Sequence, residues 1–353
     1  MRVISVDDAL SLGLDTVHVF RFTGFGDAIM FAAAARELVR QTGKPVLLGM
    51  RTKNYGLLSG IDDNLPAPIY FLDGYYSQIV NKKSVRNLKR RGMRVNYFGQ
   101  SKRVKNWIIR EVAVGMGLSG RANLTPYLRI DDDLKDFGRL TERPQIAIMT
   151  GGKKIKAMPD WLLQDIVDHF KDRYDFVQIG AENDHLLRGA LDMRGQKLSF
   201  FRQVPAVLKK SDLFVGSEGG QMHMAAAVRT RAVIGDALNR NYTGTAGHIH
   251  IFPERDKPYD CFFPGDMETL DPRKFYDAIE TQMSLAGTPV PDNDDPYDLT
   301  GIEADRHKIR RDSLIVNFID LGRYAVRAIW RGKKPLLDKW DQVKCKIKYG
   351  INL

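Results

Sequence analysis

Cysteine is nearly absent from this chain: its 353 residues include only Cys261 and Cys345. The two lie far apart and lack the paired spacing of a metal knuckle, which excludes a disulfide framework and a cysteine-held zinc or iron–sulfur cluster. Apolar runs long enough to cross a bilayer are missing too. The opening stretch MRVISVDDAL carries acids where a secretory leader would carry a basic region followed by an apolar one. The expectation from these absences is a cytoplasmic location. No solenoid-period repeat and no low-complexity tract is present. The chain does have 43% hydrophobic content, enough to pack two domains.

Negative charge is scarce in two regions, whose positive surplus exceeds the whole net charge of +11. Residues 82–110 hold Lys82, Lys83, Arg86, Lys89, Arg90, Arg91, Arg94, Lys102, Arg103, Lys105 and Arg110 and no acid. Residues 302–353 hold thirteen Lys or Arg against six acids. Such surfaces attract phosphate in any form, whether nucleic acid, sugar nucleotide or lipid headgroup. The basic stretches lack the interleaved aromatic platforms of single-strand binders, and no nucleic-acid-binding motif accompanies them, so nucleic acid is not the expected partner.

Strand-like and helix-like runs alternate twice, the pattern of two α/β domains with parallel sheets. The first series runs from the strand Val17–Phe22 through a glycine turn to a helix over 28–40, then to strands at 45–49 and 69–72. The second runs from 146–149 through a helix at 161–171, a strand at 176–179, a helix at 204–210 and the apolar run 213–216, and closes with a helix over 273–285. The polar stretch 129–144, ending in proline, places the boundary between a first domain at 1–135 and a second at 144–285. GTPVPDNDDPYDLTG, residues 287–301, reads as an acidic, Pro-rich linker to a basic tail at 302–353. The acidic runs Asp131–Asp133 and Asp292–Asp295 fall in these connecting stretches and read as surface charge. His248 and His250 lack a third partner for a metal.

Tandem α/β domains bind ligands where strands give way to helices at their carboxyl ends, and three such junctions stand out. TGFGDAIMFAAAA, residues 23–35, has Gly24 and Gly26 for a tight turn and Asp27 at the helix start. It lacks the third glycine of a dinucleotide fingerprint and the lysine of a P-loop. Asp27 reads either as a first-turn acid that complements the helix dipole or as a carboxylate able to take a proton from a hydroxyl. TGGKKIKAMPDW, residues 150–161, offers Gly151 and Gly152 with Lys153, Lys154 and Lys156, the parts of a diphosphate clamp or a merely solvated loop. SEGGQMHMAAA, residues 217–227, sets Glu218, Gly219, Gly220, Gln221 and His223 where a buried strand turns into a small-residue helix. A helix N-terminus there favours an anion. The plainer reading is a tightly packed helix with a satisfied histidine.

Together these junctions resemble glycosyltransferase family nine, the ADP-heptose:lipopolysaccharide heptosyltransferases and their relatives, from about residue 17 to about residue 285. A Gly-Asp pair after the first strand matches Gly26-Asp27. A Lys-x-x-Pro element matches Lys156 and Pro159. The family's Asp-(Ser/Thr)-Gly-x-x-His-x-Ala-Ala motif lies over residues 218–226, with Glu218 for the aspartate and Gly219 for the hydroxyl residue. The resemblance implies a GT-B fold, two Rossmann-like domains facing a cleft. It also implies an inverting, metal-independent glycosyltransferase that moves a sugar from a nucleoside-diphosphate donor, ADP-linked in the family, to a cell-surface glycan or glycolipid. It makes Asp27 the catalytic base and sets Lys156 and His223 against the donor phosphates. Gly24, Gly26, Gly151, Gly152, Lys153, Glu218, Gly219, Gly220 and Gln221 complete the nucleotide-binding set, and no cofactor is expected. With these departures at 218 and 219, the resemblance supports sugar transfer more than it supports heptose in particular. A sugar-nucleotide epimerase of the same architecture is the rival reading.

The tail lies beyond the resemblance. Leu314, Ile315, Phe318, Leu321, Ala325 and Ile329 recur at helical spacing among arginines, followed by Lys333, Lys334, Lys339, Lys344, Lys346 and Lys348. This is either a helix packed on the protein or a peripheral anchor to an anionic membrane surface.

Overall fold

The structure is a computed structural model that describes residues 2–20, 24–50, 56–73, 87–98, 108–151, 157–237, 247–254, 266–290 and 297–299. The first domain is a five-stranded parallel sheet of β1 (Arg2–Ile4), β2 (Thr16–Phe20), β3 (Val46–Gly49), β4 (Ile69–Leu72) and β5 (Arg94–Phe98), in the order β1-β4-β3-β2-β5. Helix α1 (Val6–Ser11) follows β1 and begins with a reciprocal cap between Ser5 and Asp8. Helix α2 (Phe25–Thr42) follows β2, and α3 (Ile108–Met116) follows β5. A two-stranded antiparallel pair joins β6 (Arg121–Ala122) to Tyr297–Asp298 near the other end of the described chain. Two residues inside the stretch expected to be a linker therefore pair with the first domain.

The second domain is a six-stranded parallel sheet: β7 (Gln145–Ile148), β8 (Asp175–Gln178), β9 (Ala190–Asp192), β10 (Leu213–Ser217), β11 (Ala232–Gly235) and β12 (His248–Ile251). Its order is β12-β11-β10-β7-β8-β9. Alternate residues along each strand face opposite layers. Ile146, Ile148, Val215 and Val233 meet α4 (Asp160–Phe170) and α7 (Pro272–Ser284). Ala147, Phe214, Ala232 and Ile234 meet α5 (Gln203–Lys210) and α6 (Gly220–Ala227). Both faces are covered, which is why these strands read as near-continuous apolar runs.

Helix α2 is buried almost all round, from Gly26 to Val39, because it lies between the first sheet and the second domain. Ala32, Ala33, Ala34 and Ala35 are 0–1% exposed and share one core with Met222, Met224 and Ala225 of α6. Small side chains let the two helices approach closely, so one apolar core runs through both domains. The 129–144 stretch is bound to the second domain. Gln145 donates to Gly138 O (2.8 Å) and Ser211 Oγ (2.9 Å), and Arg139 pairs with Asp212 (2.7 Å). The acids at its start are salt-bridged: Arg202 holds Asp131 (2.6 Å) and Asp133 (2.8 Å), and Lys135 holds Asp132 (2.7 Å).

In each sheet the strand order reverses once, at the centre of the second sheet and next to the edge of the first. In the second this happens between β7 and β10, and in the first between β2 and β5. Crevices at the carboxyl ends of such neighbours are where open α/β sheets bind ligands. These reversals direct attention to the loops after β2, β7 and β10.

Candidate active site

The two reversal points meet. Gly24 begins α2 in extended backbone (φ −73°, ψ 154°), and its N–H donates to the Asp27 carboxylate (3.3 Å). Asp27 therefore closes the first turn of its own helix, the dipole-complementing role read as one alternative from sequence. A Cβ on Gly24 would lie 2.8 Å from Asp27 Oδ2, so the missing side chain leaves room for that return. The carboxylate is half-buried.

Gly26, one residue earlier, touches the other domain. A Cβ there would lie 2.8 Å from Cγ and Nε2 of His223, and closer still to Cδ2. His223 is 4% exposed on the first turns of α6. Gly220, which opens α6, approaches Phe25: a Cβ at 220 would be 3.5 Å from Phe25 Cβ. The N-termini of α2 and α6 therefore converge, bringing two sets of amide donors and two positive dipole ends to one place. Phe25 is held there by Phe200 (centroids 4.9 Å) and Phe201 (5.1 Å) of the second domain.

The loop after β10 is pinned by contacts that sequence reading missed. Ser217, buried at the end of β10, accepts a hydrogen bond from Met158 N–H (2.7 Å), and Glu218 N–H donates to Gly235 O (3.1 Å). A Cβ on Gly235 would strike Met158, with Sδ 2.7 Å away. Gly219 differs. Its backbone is extended (φ 175°) and an added Cβ would meet nothing closer than Ser217 O at 3.9 Å, so the fold places no demand for glycine there. Gln221 is half-buried on the first turn of α6.

After β7, Gly151 lies against Asp184: an added Cβ would be 2.5 Å from the carboxylate carbon. Asp184 accepts from Ala181 N–H (2.7 Å). The glycine thus answers to a protein carboxylate, one that no local motif announced. The buried Gln178 ties this region together by donating to Thr150 Oγ1 (2.9 Å) and His185 O (2.6 Å) and accepting from Leu187 N–H (2.8 Å). Gly152, Lys153, Lys154 and Lys156 lie outside the described residues, as do the whole 302–353 tail and much of the basic 82–110 segment.

A second missed group follows β11. Asp236, fully buried, pairs with His250 Nδ1 (3.0 Å). His248 Nε2 donates to Thr230 O (3.2 Å). Burial first, then His250 and His223, holds the His248 imidazole at about 3, so it is neutral in the fold. Among the described residues no cluster of three or more His, Cys, Asp or Glu side chains forms a metal site.

No protein-family model and no curated protein matches the chain. Solved structures match its fold. A glycosyl transferase family 9 protein from Veillonella parvula aligns with a TM-score of 0.58 at 11% identity, over 77% of this chain and 98% of its own. ADP-heptose lps heptosyltransferase II of E. coli aligns with a TM-score of 0.56 at 14% identity, over 76% and 98%. The dodecameric, iron-containing heptosyltransferase TibC, solved with ADP-D-beta-D-heptose, aligns at 0.57 and 14% identity, over 76% of each chain. At such identities the likeness is one of fold, and the fold is GT-B: two Rossmann-like domains whose switch points face one another. The neighbours are of the family that the three junctions resemble.

Proposed function

We propose that this chain is an inverting glycosyltransferase that moves a heptose or hexose-like sugar from a nucleoside-diphosphate donor to a glycan or glycolipid acceptor. The observation that carries the reading is the meeting of the α2 and α6 N-termini at Gly26 and His223, with Asp27 beside them. The acceptor oxygen attacks the anomeric carbon as the bond to the diphosphate oxygen breaks, and Asp27 takes the acceptor's proton. Negative charge gathers on the departing diphosphate. His223, the amides of Gly219 and Gly220, and Lys156 are the groups assigned to that charge, where preorganised donors contribute most to catalysis. Glu218 is assigned to donor hydroxyls. The scheme uses no metal, so chelator should leave turnover unchanged.

The test is turnover of ADP-linked and other nucleotide sugars with and without acceptor. Strict dependence on added acceptor is the expected result. Donor rearranged or hydrolysed without acceptor would establish the epimerase reading instead. For location, the proposal is a cytoplasmic protein whose 302–353 tail engages anionic lipid. The full chain should bind phosphatidylglycerol vesicles and leave them at high salt. Replacing Lys333, Lys334, Lys339, Lys344, Lys346 and Lys348 by glutamine should abolish that binding, and unchanged binding would remove the tail as anchor.

A further inference from the structure

At the opposite ends of α2 and α6 from the converging N-termini lies a cavity of about 420 Å³ that the proposed reaction does not use. Arg36 and Arg40 stand roughly 16–22 Å along α2 from its start, and they line the cavity with Lys209 at the end of α5 and Arg229 just past α6. No acid is among the described residues that line it. The third wall is the 123–130 stretch, which carries the chain from the first sheet to the second, so the cavity touches both domains and their connection.

Three observations go beyond charge. First, Arg36 is 4% exposed; its terminal nitrogens donate to Ile61 O and Asp63 O, and its guanidinium lies 4.1 Å over the Tyr127 ring. Its Nε and the Thr125 hydroxyl are nevertheless buried without a hydrogen-bond partner among the described residues, a state that buried donors rarely keep. Second, Arg229 has φ +64°. It occupies the left-handed position that ends α6, where Arg229 N–H donates to Ala226 O (3.2 Å) and Thr230 N–H to Ala225 O (2.9 Å). Glycine belongs at that position of such an ending, and a side chain there is strained. The residue that lines the cavity there is nevertheless an arginine. Third, the cations crowd one another: desolvation of the ammonium group, then Arg229 and Lys210, push Lys209 below its ordinary pKa. Arg40 also pairs with Glu37 at 3.5 Å, a residue that is not among the described ones lining the cavity.

We infer that this cavity is a second ligand site, for a small phosphorylated molecule with at least two negative charges, which bridges the two domains behind the reaction centre. The cations supply charge-assisted donors for phosphate oxygens, while Leu128, Ile130 and Val228 supply an apolar floor for a compact carbon body. The volume is that of a small-molecule pocket. Its place away from the carboxyl ends of both sheets marks the ligand as an effector rather than a substrate. Occupancy would fix the angle between the domains, since the lining belongs to both.

The test is calorimetric titration of the full chain with fructose 1,6-bisphosphate, a compact two-phosphate sugar used as probe. Wild type should bind it, and His223→Ala, altered only at the reaction centre, should bind it equally. Arg40→Gln/Lys209→Gln/Arg229→Gly should bind roughly tenfold or more weakly. Arg229→Gly suits its φ, and the other two residues sit at the cavity rim, so the variant should melt no lower than wild type. If the triple variant fails to fold, Arg229→Gly alone carries the same comparison. Unchanged affinity in the cavity variants, loss confined to His223→Ala, or no binding by wild type at millimolar probe would each overturn the inference.

Discussion

Gly26 and His223 hold the two domains in contact at the proposed reaction centre: a side chain on Gly26 would occupy the space taken by the imidazole ring. The contact lies at the start of two helices whose alanine-rich bodies continue the same interface, so a methyl group at Gly26 must displace the imidazole or part α2 from α6. Gly26→Ala should therefore destabilise the protein by about 1–3 kcal/mol, the usual cost of overpacking. It should also depress turnover through the displaced imidazole. A denaturation midpoint equal to wild type would show that the ring shifts freely.

Gly219→Ala makes the opposite case. The fold accommodates a methyl group there, with 3.9 Å to the nearest atom and extended backbone. Stability should be unchanged or higher by about 0.4–1 kcal/mol, because alanine restricts the unfolded chain more than glycine does. If a diphosphate approaches the amides at the start of α6, the methyl group will obstruct it and nucleotide affinity will fall. Thermal shift with and without nucleoside diphosphate reads both quantities, since a ligand of the folded state raises its stability with occupancy. Undiminished nucleotide binding would move the phosphates away from Gly219.

Asp27 has two roles to separate, because its carboxylate also caps α2 through Gly24 N–H. Asp27→Asn keeps an oxygen acceptor for that bond and loses only the charge that favours a helix start, so stability should fall by no more than about 1 kcal/mol. An amide cannot take the acceptor's proton. Turnover should fall roughly 10²–10⁴-fold while nucleotide binding persists. Near-normal turnover would leave Asp27 as a helix cap alone.

The part of this architecture legible in the sequence is the part written in local periodicity. Apolar runs at 146–149, 176–179 and 213–216 became β7, β8 and β10 with shifts of about one residue, and 28–40 lay inside the longer α2. SEGGQMHMAAA announced the β10–α6 junction because it combines a buried strand, paired glycines and small helix residues. The short edge strands β1 and β9 carry little apolar pattern and escaped notice. In β12 the alternation His-Ile-His-Ile drew attention to metal ligation, whereas the isoleucines pack toward α7 and the histidines lie on the other face. The contacts that fix the site's loops, Ser217 with Met158 and Gly151 with Asp184, join residues distant in sequence. No local spacing encodes them; only the packed sheets bring them together. The two-residue strand Tyr297–Asp298, inside a Pro-rich acidic stretch, depends wholly on its partner β6.

His248 gives the protein a built-in acid sensitivity. Its folded-state value of about 3 lies below the ordinary 6.5, because burial and the neighbouring His250 and His223 oppose charging while only the Thr230 carbonyl favours it. Between those values the unfolded chain binds a proton that the folded chain refuses. Its contribution to stability is therefore complete above about 6.5 and is lost as pH falls toward about 3, at up to about 1.4 kcal/mol per pH unit. Asp236, paired with His250 Nδ1, is the carboxylate of the same buried group and remains in place when His248 is replaced. His248→Gln can keep the donor to Thr230 O, since the glutamine amide nitrogen reaches about as far as Nε2, yet it cannot titrate. Unfolding by urea at intervals from pH 7 to pH 4 should show wild type losing stability more steeply than His248→Gln. Parallel pH profiles would show that His248 is accessible to protons in the folded state.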